Sequence, residues 1–282
     1  MIKNRPRLSA RFKLASFMLA ALCLSHLCGC SKGPASWKPG SDETALQRMM
    51  EGITKGIETL SGDLEAAAGE LGKTGLTGDE ARDVLKNLCS KHRSALIDCA
   101  AIDDEGVIAT VEPKAFRTLE GTDVHRHPVN AQLIKTKEPS LSQIFMTAER
   151  IAAVAFEWPV FSDDGVFMGS VSTLIDPNLF IKPLIKRALS LPVYAGWVAQ
   201  TNGIILYSPD PNQTGRNIFK DPYYRHMKEL VALGRKISTE ESGRGTFRRK
   251  GAGKVDFVER LCIWDTIDFH NARWRVILVK NI

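Results

Sequence analysis

Glu157 is an acid in an otherwise apolar run, Ala155-Phe156-Glu157-Trp158-Pro159. On a strand it faces either a ligand pocket or solvent, and period-two alternation does not decide which until the pairing register is known. His125 and His127 alternate, so an extended segment points both to one side, a spacing that can hold a metal ion; with no third ligand apparent and Pro128 following, a surface loop is the expected reading. Gly251-Ala252-Gly253-Lys254 has the look of a phosphate loop, but Val255 stands in place of the metal-binding hydroxyl and no glycine lies five positions before Gly253. Cys89 and Cys99 are ten residues apart, close enough for a bridge tying a helix end to the following strand in an oxidising compartment. The alternative is that these two and Cys262 are small buried hydrophobes. No CxxC pair, nucleophile elbow or zincin helix is present, so no metal, cofactor or catalytic residue is expected, although a triad assembled from distant residues stays open.

The first thirty residues say where this chemistry takes place. Lys3, Arg5, Arg7, Arg11 and Lys13 precede an apolar run from Leu14 to Leu24, the order of an export signal. The run is shorter than the roughly 20 residues that span a bilayer. Leu27-Cys28-Gly29-Cys30 follows and resembles the bacterial lipobox, which makes Cys30 the acylated first residue of the mature chain. Ser31 stands where that signal's inner-membrane retention residue would be Asp, which favours the periplasmic face of the outer membrane. Without the five leader cations, the 38 basic residues fall to 33 against 32 acids. The mature chain is therefore near neutral, and a nucleic-acid partner has little support. Arg244, Arg248, Arg249, Lys250 and Lys254, interleaved with glycines, form a local cluster expected on an exposed hairpin.

Residues 1–29 are thus read as the leader and 30–40, with Gly33, Pro34, Pro39 and Gly40, as a tether. Residues 41–92 should be helical. Ser41 is placed to cap a helix with Asp42 and Glu43 in its first turn, and Leu46, Met50, Ile53, Ile57, Leu60, Leu64, Ala67 and Leu71 recur in steps of three and four. That seam either packs along its own domain or forms a two-helix dimer. A second helix, capped at Thr77, ends near Cys89. Beyond it the pattern is strand, turn, strand about Asp103-Asp104-Glu105-Gly106, and the same about Gln200-Thr201-Asn202-Gly203, each followed by a glycine loop at Gly121 and Gly215. Later hairpins are expected about Asp163-Asp164-Gly165 and His270-Asn271. The near-repeat gives two α+β modules, 93–190 and 191–282, each an antiparallel sheet with flanking helices.

In this arrangement the chain resembles the double Cache family of extracytoplasmic sensor domains, two PAS-like modules behind a long N-terminal helix. The resemblance rests on Ile102 to Ile108, Gly121-Thr122-Asp123-Val124-His125-Arg126, Trp158 to Gly165 leading to Asp176, and Asn202 to Pro209 with Gly215-Arg216-Asn217. It implies a small-molecule site in the first, membrane-distal module. There Arg126 matches the arginine that forks onto a ligand carboxylate, and Asp176 falls near the acid that receives an amine, although a helix cap ahead of Pro177 is the competing role. Phe145 and Thr147 lie on the strand that supplies further contacts. Pro128, Val129 and Thr147 depart from the residues that amino-acid-binding members carry, which argues against amino-acid sensing. The expected function is a lipid-anchored, non-enzymatic sensor or solute-binding module without an output domain of its own. It would take a small molecule of unknown class and act through a signalling protein, with a homodimer through the N-terminal helix as a further option. The alternatives are an accessory lipoprotein that uses the modules as a protein-binding surface and an enzyme of unknown type.

Overall fold

The computed structural model describes residues 40–147, 150–189, 191–250 and 257–282. Cys30, the leader and all but the last residue of the tether lie outside them. Among the described residues, no helix is long and apolar enough to cross a membrane.

The described residues open with α1 (Ser41–Thr74), which ends where Gly75, at φ 87°, returns its N–H to the Leu71 carbonyl. Gly40, and not Ser41, occupies the N-cap position. The first turn is fixed from outside, through Asp42, which accepts from the Tyr194 hydroxyl at 2.6 Å and pairs with Lys280. Of the heptad seam, Leu46, Ile53, Ile57, Leu60, Leu64, Ala67 and Leu71 are buried, while Met49 takes the fully buried place expected of Met50. They pack against both sheets of the same chain, so the face that would have zipped a dimer is occupied from within.

A second helix, α2 (Gly78–Lys91), lies against α1 and leads into the first sheet. Its strands are β1 (Leu96–Asp103), β2 (Ile108–Glu112), β3 (Ser140–Leu141), β4 (Phe145–Met146), β5 (Ala152–Phe161) and β6 (Phe167–Ile175). They run antiparallel in the order β2-β1-β6-β5-β3, with β4 paired to the start of β5. Cys99, Ala101, Phe156, Val160 and Val171 face α1 and α2. On the opposite face, Ala100, Ile102 and Val111 sit under a 3₁₀ turn, Lys114–Leu119, and Val124; helix α3 (Pro128–Thr136) crosses β5 and β3. The β1–β2 turn is an Asx turn in which Asp103 Oδ1 accepts from the N–H groups of Glu105 and Val107. Gly106 is required there, at φ 86°, because a Cβ would lie 2.6 Å from that of His125.

Helix α4 (Pro177–Ala188) leads to the second sheet, of strands β7 (Tyr194–Gln200), β8 (Ile205–Tyr207), β9 (Gly243–Lys250), β10 (Phe257–Phe269) and β11 (Ala272–Asn281), ordered β8-β7-β11-β10-β9. Helix α5 (Lys228–Thr239) covers one face through Leu230, Leu233 and Ile237. The near-repeat appears in matching backbone bonds: Gly121 N–H donates to Ile108, as Gly215 N–H does to Ile205. In the basic cluster, Arg244 pairs with Glu43 and Arg248 with Glu229.

Candidate functional site

The register of β5 decides the orientation of Glu157. Phe156 on one side of the strand joins the core against α1, so Glu157 points to the other face, and it is 3 % exposed. Across the sheet, Ser140 pairs with Glu157, Glu157 with Ser172, and Ser172 with Ala100, placing three polar residues in one row. The next row on that face holds Pro159, Ser170 and Ile102, and the row before it Ala155, Leu174 and Asp98. Asn130, on the buried side of α3, donates its amide to the Val124 carbonyl at 3.4 Å.

Four polar atoms in this module are buried with no protein partner: Glu157 Oε2, Asn130 Oδ1, Ser140 Oγ and Ser170 Oγ. Native interiors seldom leave such groups unpaired, and each costs on the order of 1–3 kcal/mol when they do. The first two can accept but, with Glu157 ionised, neither donates. Burial pushes the Glu157 carboxyl up to about 8, against a weaker downward pull from the Ser172 hydroxyl, so the acid is largely neutral at pH 7. No Lys or Arg is buried on this face among the described residues; the buried guanidinium of Arg275 belongs to the second module and is bonded to the Ile237 carbonyl. The patch is thus rich in acceptors and lacks a cation.

The residues that the sequence put forward are distributed around it. Phe145 pairs with Ala153 and so shares the Glu157 face; its ring lies 4.5 Å from that of His127. Burial lowers the pKa of His127. The Thr147 hydroxyl accepts from the Ile151 N–H at 3.2 Å, closing a local turn. Asp176 caps α4, accepting from the N–H groups of Asn178 and Leu179 at 2.9 and 3.0 Å. Arg126 is exposed on the loop before α3. His125 turns to Asp123, Nδ1 to Oδ1 at 2.5 Å, while His127 turns to Phe145, so the two rings do not converge. Among the described residues, no three His, Cys, Asp or Glu side chains gather as a metal site. Cys89 and Cys99 are joined as a disulfide with Cα atoms 5.9 Å apart; Cys262 is free and buried, its thiol pushed up to about 12 by burial. Sequence reasoning missed Ser140, Ser170, Ser172 and Asn130. Only Ser170 and Ser172 left a signal, as hydroxyls at period-two spacing in an apolar strand.

Residues 55–177 match the family model of the HK/GC/Chemotaxis protein-like sensor domain. In that match and in its two-sheet architecture the chain is similar to Cache-type sensor domains. An extracellular ligand-binding receptor from Desulfohalobium retbaense superposes with a TM-score of 0.70 at 27 % identity, over 86 % of this chain and 41 % of that one. The chain therefore spans about two fifths of that receptor's length. The ligand-binding domain of the Pseudomonas aeruginosa amino acid chemoreceptor PctB, in complex with L-Gln, gives 0.56 at 13 % identity, over 85 % of this chain and 88 % of that one. That of the Pseudomonas fluorescens chemoreceptor CtaA, in complex with L-alanine, gives 0.56 at 17 %, over 84 % and 95 %. Among curated proteins, none matches in sequence. The Cache-type architecture here is that of the extracellular ligand-binding sensor domains of chemoreceptors and histidine kinases.

Proposed function

We propose that this Cache-type domain is a lipid-tethered, non-catalytic sensor whose first module, 93–190, binds a small molecule bearing a protonated amine against Glu157. The observation that carries this reading is the set of orphaned acceptors, Glu157 Oε2 and Asn130 Oδ1, beside the unpartnered hydroxyls of Ser140 and Ser170. With Glu157 ionised, a ligand that satisfies these acceptors has to bring donors. A protonated amine supplies up to three and restores the charge balance when Glu157 ionises, whereas a buried carboxylate would find no cation on this face. Phe145, with the His127 ring edge-on to it, supplies an aromatic wall on the same face, and Thr147 follows two residues on. Arg126, on the loop leading into α3, is the residue placed to meet an acidic group at the outer end of such a ligand, and Asp176 serves mainly to start α4. Both chemoreceptor domains named above are complexed with amino acids, which carry an amine. Acylation at Cys30 would hold the module at the membrane, and a partner protein would receive the signal.

The test is calorimetry and thermal shift on the exported chain beginning at Cys30, with primary amines and their alcohol analogues as probes. Saturable binding of an amine, lost in Glu157→Gln and retained in Asp176→Asn, supports the assignment. Arg126→Ala should weaken only those amines that also carry a carboxylate. Equal responses to amines and alcohols, or an unchanged amine response in Glu157→Gln, reject it.

A further inference from the structure

The second module has a partly open cavity between α5 and its own sheet, separate from the Glu157 patch. It has about 50 Å³ of free volume, with walls that include Leu230 and Ile237 of α5 and Phe247, Cys262 and Val279 of the sheet. Three side chains that carry nitrogen or oxygen reach its margin, Trp197, Gln200 and Ser238. The Ser238 hydroxyl donates to the Arg235 carbonyl at 2.7 Å, and Gln200 Oε1 accepts from the Ile144 N–H at 3.2 Å. The Cys262 thiol is held neutral by burial. The wall is thus almost wholly apolar, and the space exceeds the roughly 10–15 Å³ that one water needs. A pocket with such walls gains from an occupant made of carbon, because its lining atoms lack dispersion partners on one side.

We propose that this cavity is a second ligand site, which takes an apolar molecule or apolar group of a few carbons, such as a single ring or a short alkyl chain. The inference does not depend on the amine reading of the first module. Its geometry is preformed: Gly234 lets α5 lie close over Ile218, since a Cβ there would be 3.1 Å from Ile218 Cδ1, and the sheet residues that form the floor are paired in register along β7, β11 and β10.

Benzene and xenon are the probes. Saturating benzene should raise the melting temperature of the exported chain by about 2 °C or more. The rise should vanish in Ala199→Leu, which fills the cavity from β7 and should melt no lower than the parent when benzene is absent. A crystal pressurised with xenon should show the gas beneath α5, so the test survives even if the variant folds poorly. No rise in the parent together with no xenon under α5, or an equal rise in a folded Ala199→Leu, overturns the proposal. Amine titration of the same variant distinguishes the two sites, because its response at Glu157 should be unchanged.

Discussion

Asn271 completes both main-chain hydrogen bonds of Leu141: the Leu141 N–H donates to Asn271 Oδ1 at 2.7 Å, and Asn271 Nδ2 donates to the Leu141 carbonyl at 3.0 Å. Asn271 lies in the β10–β11 turn of the second sheet, whereas Leu141 belongs to β3, the two-residue edge strand that carries Ser140 beside Glu157. Two further amides act alike, Gln200 on the Ile144 N–H and Asn202 on the Gln143 side chain. The edge of the proposed ligand site is thus held by side chains of the other module, and a ligand that draws β3 toward Glu157 pulls directly on the β10–β11 turn.

Asn271→Ala should therefore do two things. Leaving the part-buried N–H and C=O of Leu141 unpaired should cost about 1–3 kcal/mol in urea unfolding. It should also weaken amine binding, since Ser140 loses its fixed position. A variant that loses stability while binding amine with unchanged affinity would show that β3 is held in place without Asn271.

Glu157 should give the protein an unusual pH dependence. Its carboxyl keeps its proton in the folded state up to about pH 8, whereas the unfolded chain releases it near 4.5. The folded state therefore binds more protons across that window, and stability falls as pH rises through it, by at most about 1.4 kcal/mol per unit. His127 and His270, whose pKa values burial lowers, work in the opposite sense: their contribution is lost as pH falls below about 6.5. Unfolding curves of the parent and Glu157→Gln from pH 4.5 to 8 separate the two effects. The difference should grow in favour of the variant as pH rises, and parallel curves would mean that Glu157 ionises freely in the fold.

Much of this architecture is legible in the sequence. The α1 seam, the Asx turn at Asp103 and the paired glycine loops at Gly121 and Gly215 all follow from local periodicity and turn chemistry, which short stretches of chain specify. The site is legible only in part, because it is made by register. Glu157 stands out as an acid among apolar residues, but Ser140 lies seventeen positions earlier and Ser172 fifteen later, and only strand pairing makes them its neighbours. Asn130 is invisible for the same reason: a single Asn in a short helix acquires meaning from the face it buries. Arg126 is favoured by resemblance, and resemblance does not report exposure.

The glycines of α1 separate helix propensity from packing. A Cβ at Gly62 or Gly69 meets nothing within 4 Å, so Gly62→Ala and Gly69→Ala should each stabilise the chain by up to about 1 kcal/mol. At Gly72 a Cβ would lie 2.1 Å from the carbonyl oxygen of Phe161, the last residue of β5. Backbone on both sides cannot yield as a flexible side chain does, so Gly72→Ala should lower the melting temperature despite the same gain in propensity. Thermal unfolding of the three variants checks this, and a stabilised Gly72→Ala would show that the β5–β6 turn sits farther from α1.

The Cys89–Cys99 bridge makes a last, separable prediction. It closes a ten-residue loop between the end of α2 and the middle of β1, and α2 has only Ala81, Val84, Leu85 and Leu88 buried to hold it. Loop-closure entropy for that length amounts to about 2.7 kcal/mol. Replacing both cysteines by serine should therefore cost on the order of 2–3 kcal/mol, and reductant should destabilise the parent by a similar amount while leaving the double variant unaffected. Because β1 also carries Asp98 and Ala100 on the Glu157 face, the loss should extend to amine affinity if α2 steadies that strand. Equal affinity in the bridged and serine forms would confine the disulfide's role to holding the helical layer.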